Sequence, residues 1–132
     1  MKRGLWLVLG AALAVAMLLS ACGDDEGTAD ATPSDGDVLS SVTAALEAKY
    51  GWDEGAATVT LDTVEDERFA KGGVTDPEGS GALWFASLVD GEWRIVFDGN
   101  GIVDCASLEP YPDFPTSMLP QCVDAGGNLQ TR

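Results

Sequence analysis

The chain has 132 residues, length for one small domain, and its acids outnumber its bases 22 to 7, with no histidine. All 22 acids lie after Cys22 against 5 bases there, a formal charge of −17 for that part. Such a balance excludes nucleic acid as a partner, because phosphate binding needs basic patches, and excludes electrostatic docking on anionic lipid.

Lys2 and Arg3 form a positive start, and Leu5 to Leu19 is an apolar run. The run is shorter than the ~20 residues a membrane span needs. It ends Leu19-Ser20-Ala21-Cys22, which resembles the lipobox of bacterial lipoproteins. The resemblance covers residues 1–22. It implies a signal peptide over 1–21 and a diacylglycerol thioether on Cys22, which becomes the mature N-terminus. The alternatives are an ordinary cleaved signal peptide and an uncleaved anchor. Membrane attachment through acyl chains (palmitate among them) on the extracytoplasmic face follows from the resemblance, since two chains give stable anchoring.

Residues 22–36 read as the lipidated cysteine and an acidic, flexible tether without a large apolar residue. At this length a flexible chain spans ~20 Å, and self-repulsion stretches it further.

A single domain is expected over 37–125. Asp37 serves as N-cap of an amphipathic helix over 38–50, with Val38, Val42, Ala45, Leu46 and Tyr50, or Leu39, Val42, Leu46 and Tyr50, as its apolar stripe. Gly51 stops it. Residues 57–64 alternate as a half-buried strand and 65–67 form a polar turn. A second strand over 68–75 contains Gly72-Gly73, the mark of a bulge or of close approach by the helix. Residues 76–81, DPEGSG, are a loop.

Residues 82–98, ALWFASLVDGEWRIVFD, read as a β-hairpin folded at Asp90-Gly91. A two-residue loop places Val89 opposite Glu92, Leu88 opposite Trp93, Ala86 opposite Ile95 and Trp84 opposite Phe97. Alternation then gathers Trp84, Ala86, Leu88, Trp93, Ile95 and Phe97 on one apolar face for the helix to cover. The other face is mixed, and its Leu83, Phe85 and Val96 form an apolar patch. The fold class is therefore α+β: a helix on a four-stranded antiparallel meander, in the manner of cystatin-like or NTF2-like half-rolls.

Cys105 and Cys122 bracket a segment with Pro110, Pro112, Pro115 and Pro120 and no periodicity. With Cys22 taken by lipid, an even pair remains outside the cytoplasm, which predicts a Cys105–Cys122 disulfide closing an irregular segment. Residues 126–132 are expected to be disordered. The DGNG, Cys, YPDFP, Cys arrangement, together with AKG and GEWRIVFDGNG before it, is similar to small uncharacterised domains of bacterial envelope lipoproteins over roughly residues 68–122. That likeness supports the fold and the disulfide and carries no chemistry.

Catalytic constellations are missing. Without histidine there is no histidine triad or proton shuttle, the paired cysteines leave no thiolate, and no glycine-rich loop joins a strand to a helix. Residues 98–104, DGNGIVD, approach a calcium loop but miss carboxylates at two of its positions. No enzyme, cofactor or metal site is expected. Two readings remain. One is a membrane-tethered binding module for an envelope protein, acting through Leu83, Phe85 and Val96 unless Tyr111, Phe114 and Met118 of the tail cover them. The other is a small-ligand site between helix and sheet, lined by Trp84, Trp93 and Tyr50.

Overall fold

A computed structural model describes residues 33–132; the signal-peptide, lipobox and Cys22 readings, and the tether up to residue 32, lie outside the described residues. Helix α1 (Asp35–Tyr50) begins earlier than expected. Ser34, not Asp37, is the N-cap. Its hydroxyl accepts the Asp37 N–H while the Asp37 carboxylate accepts the Ser34 N–H, a reciprocal capping box. Asp37 thus works at the third helical position, and residues 35–36, assigned to the tether, are helical. Gly51 ends the helix in the left-handed conformation (φ 69°). The buried stripe is Val38, Val42 and Leu46, spaced by four, and Tyr50 lies outside it.

Four strands follow in sequence order and pair as an antiparallel meander: β1 (Thr58–Glu65), β2 (Phe69–Thr75), β3 (Gly81–Val89) and β4 (Glu92–Gly99). The β3–β4 turn has φ 53° at Asp90 and 79° at Gly91, the twist that a two-residue hairpin needs. The β2–β3 loop is built on Asp76, whose carboxylate accepts the N–H of Glu78 and of Ser80, with Gly79 at φ 90°. The α+β class and the meander are thus as the periodicity implies.

The hairpin register holds from Val89–Glu92 to Ala86–Ile95 and then slips, because Phe85 pairs with Phe97 and Trp84 with Asp98. Val96 is an extra residue in β4, a β-bulge. The bulge sends Val96 and Phe97 to the same side, so Phe97 leaves the helix-facing set and packs on the opposite face. Strict alternation could not anticipate this, since one inserted residue flips every side chain beyond it.

The sheet has apolar layers on both faces. Under α1 lie Ala70, Val74, Trp84, Ala86 and Trp93 with Val38, Val42 and Leu46. The Trp84 indole lies against Gly72: a Cβ there would sit 2.7 Å from the indole and 1.8 Å from the Thr60 carbonyl oxygen. Trp84 Nε1 donates to the carbonyls of Gly73 (2.9 Å) and Thr60 (3.1 Å), so the indole is buried with its donor satisfied. Gly72 therefore admits a tryptophan rather than the helix, and the expected bulge is present beside it, where the β1–β2 register shifts between Leu61 and Thr63.

The second layer is closed by the segment after β4. It holds a short helix α2 (Cys105–Leu108) and a small hairpin, β5 (Gln121–Val123) with β6 (Leu129–Thr131). Residues 129–131 are thus a strand, not a disordered end. The Asp124 carboxylate organises the turn, accepting the Asn128 N–H, the Gln130 amide and the Gly126 N–H, and these bonds, that of Asn128 foremost, hold its carboxyl below the usual aspartate range. Cys105 and Cys122 are joined in a disulfide. Closing a loop of this length contributes ~3 kcal/mol in the chain-entropy model. Arg132 donates to the carbonyls of Leu119 (2.8 Å) and Phe114 (3.0 Å), tying β6 back to the proline-rich segment.

Candidate functional site

The residues proposed as contacts separate into three groups. Trp84 and Trp93 are buried core residues beneath α1. Phe85 and Val96 are buried under the proline-rich segment, packed with Leu108, Phe114 and Met118 while Tyr111 flanks them. Tail coverage is therefore the outcome on that face. Leu83 and Tyr50 remain, half exposed at 50% and 48%.

These two share one end of the sheet, where β3 begins and β4 leaves. The loop after β4 is pinned there by Asn100, whose side-chain amide donates to the Gly81 carbonyl at 2.7 Å. Two hollows lie on either side of this loop, and Gly99 and Asn100 line both. One is an apolar cleft of about 230 Å³ walled by Leu83, Phe97, Ile102, Leu119 and Pro120, with no ionisable group in its lining. Ile102 is 52% exposed at its rim. The other is a notch of about 220 Å³ between Tyr50, Trp52, Asp76, Ser80 and Asp98.

The notch is rigidly built. Glu47, buried on α1, accepts the Gly55 N–H at 2.7 Å through its carboxylate, and its carbonyl accepts the Trp52 N–H at 3.0 Å. The chain therefore turns back directly after Gly51, and Trp52 stacks on Tyr50 with ring centroids 4.7 Å apart. Asp98, whose side chain is only 4% exposed, accepts both the Tyr50 phenol and the Lys49 ammonium. Asp98 sits here because the β4 bulge shifts it opposite Trp84. Asp98, the first residue of the calcium-like stretch 98–104, thus has its carboxylate engaged by Lys49 and Tyr50. Among the described residues no group of three or more acidic, cysteine or histidine side chains converges on a metal position.

The bond to Asp98 raises the Lys49 pKa against the opposing effect of burial. The same carboxylate, by accepting the phenol, raises the Tyr50 pKa, and burial adds to it. Both favour the protonated form in the folded state. Their stabilisation is complete below the ordinary values near 10 and is lost as pH rises through the raised ones. Urea midpoints should accordingly fall above pH ~10, and Asp98→Asn should remove part of that alkaline slope. An unchanged slope in the variant would disprove the coupling.

Sequence reasoning missed Trp52, Asp98, Asn100 and Ile102 as members of one site. Ile102, an isolated large apolar residue in a glycine-rich turn, was the one local signal. Among the described residues no helix is long and apolar enough to cross a membrane. No protein-family model, no curated protein and no solved structure matches the chain.

Proposed function

We propose that this chain is a membrane-tethered, extracytoplasmic lipoprotein whose domain is a non-catalytic binding module, and that it binds through the open end of the sheet. The observation that carries the reading is the clustering of exposed apolar side chains. Of four large hydrophobic residues left exposed among the described residues, Tyr50, Leu83 and Ile102 line the two hollows that share Gly99 and Asn100; the fourth is Leu129. Scattered single exposures are ordinary, whereas exposed apolar side chains gathered at one end of a sheet suit a contact surface. The lipid attachment at Cys22 rests on the lipobox resemblance, and the acidic stretch after it suits a spacer. The half-roll architecture of cystatin-like or NTF2-like domains is proposed on the same footing, supported by one helix laid on a four-stranded meander.

In-cell crosslinking of the full chain tests both parts. Cys22→Ser should abolish lipid labelling and either release the protein from the membrane fraction or leave its precursor unprocessed. Ile102→Glu should lose the crosslinked partner, while Ala44→Glu on the exposed side of α1 should keep it. Both side chains are exposed, so neither change should move stability by more than ~0.5 kcal/mol. Lipid labelling that persists in Cys22→Ser refutes the anchor. Equal behaviour of the Ile102 and Ala44 variants refutes the binding end.

A further inference from the structure

We propose that the hollow between the β3–β4 turn and the proline-rich segment binds a small zwitterion of the α-amino-acid class, with its carboxylate on Arg68 and Ser87. This site lies at the opposite end of the sheet from the binding end proposed above and goes beyond that reading. Ser87 is the starting observation. Among the described residues Glu47 and Ser87 are the buried polar ones, and Glu47 accepts the Gly55 N–H. Ser87 is 3% exposed, and its hydroxyl has no hydrogen-bond partner among the described residues. A hydroxyl taken out of water without a partner costs free energy, so this one calls for an occupant beside it. Alternation fixes its direction. Ser87 lies two residues after Phe85 and stands opposite Phe69 of β2, and both phenylalanines belong to the layer under the proline-rich segment. The hydroxyl therefore points to that side, where a hollow of about 280 Å³ opens beside Tyr111. Its oxygen is not sealed off, because every fully enclosed side-chain polar atom of the described residues has a partner.

The charged groups around the hollow select the ligand class. Arg68 lines it, and its guanidinium sits 5.3 Å from the centroid of the Phe69 ring, on the same side of the sheet as Ser87. Among the described residues that guanidinium forms no salt bridge, so its planar fork of donors is open to an acceptor. A carboxylate matches the fork through two parallel bonds, and the Ser87 hydroxyl can donate a third from the floor. A carboxylate alone would also meet Asp90 and Asp113, which line the same hollow and are both exposed. A cation alone would meet Arg68. A ligand that carries a carboxylate and an ammonium on a short spacer answers both signs of charge at once.

The test titrates the full-length protein in detergent micelles with glycine, L-alanine and L-leucine, read by calorimetry, with propionate and ethylammonium as single-charge comparisons. At least one of the three amino acids should bind, about tenfold or more tighter than either comparison. Arg68→Gln, a change at an exposed side chain, should weaken that amino acid about tenfold or more. Ser87→Ala should weaken it about threefold or more and leave the urea midpoint of the free protein unchanged, because the hydroxyl bonds nothing within the fold. Ile102→Glu, at the other end of the sheet, should leave amino-acid binding as it is. Absence of binding by all three amino acids at millimolar concentration would overturn the proposal and leave water as the occupant of the hollow. Equal affinity in Arg68→Gln, or propionate or ethylammonium binding as tightly as the amino acid, would overturn it too. The crosslinking result for Ile102→Glu is read separately, so the binding end stands or falls without this site.

Discussion

Gly72→Ala is expected to destabilise the protein by about 3–5 kcal/mol, enough to unfold a domain of ordinary stability or bring it close. The added methyl has nowhere to go. It would lie 1.8 Å from the Thr60 carbonyl oxygen of β1 and 2.7 Å from the Trp84 indole. The first neighbour is backbone in the adjacent strand. The second is the largest fully buried side chain of the described chain. Relief requires β1 to move away from β2 and the Trp84 indole to shift as well, at the expense of its bonds to Thr60 and Gly73. These shifts leave buried polar groups short of partners on top of the packing loss. Gly73→Ala is the control. Its nearest neighbour is the Thr60 hydroxyl at 3.0 Å, a side-chain group that can turn, so ~1 kcal/mol is expected. Urea denaturation of both variants decides the matter, and a Gly72→Ala cost below ~1 kcal/mol would show that the indole is not seated as described.

Phe114→Ala is expected to cost about 3–5 kcal/mol, the range for deleting a buried aromatic side chain. Phe114 is 2% exposed and meets Phe69 and Phe85 edge-on at 5.3 and 6.4 Å between ring centroids. It is the residue through which the proline-rich segment grips the second face of the sheet. The disulfide would hold the ends of that segment in the variant, but the apolar surface of Phe85 and Val96 beneath it would be open to water. A hydrophobic dye should therefore bind the variant under native conditions and not the parent protein. A denaturant midpoint within ~1 kcal/mol of the parent, with no dye signal, would mean that the segment covers the sheet without relying on Phe114.

Much of this architecture is local and so could be read from the chain. Helix α1 announces itself by apolar residues spaced by four and a glycine stop, and the β3–β4 hairpin by Asp-Gly between aromatic and β-branched runs. The Cys105–Cys122 pairing follows from counting thiols once Cys22 is assigned to lipid. Each depends on residues close in sequence, or on composition alone. The helix start was legible too, in Ser34 with an acid three residues on, although Asp37 offered a competing cap.

Tertiary structure decided where the exposed apolar side chains gather. The bulge at Val96 is not encoded by any local pattern; it settles which face Phe97 joins and brings Asp98 to Lys49 and Tyr50. Whether Leu83, Phe85 and Val96 are covered depends on how far a segment some 30 residues later folds back, and it reaches two of the three. Leu83 was left at the rim because the loop through Asn100 and Ile102 stops beside it and opens a cleft there. Likewise Trp84 and Trp93 are, by residue type, equally suited to a ligand pocket or a core. Both are buried in the core beneath α1, where Gly72 makes room for the Trp84 indole. Periodicity tells which side chains share a face, but what lies over that face is set by contacts between residues far apart in the chain.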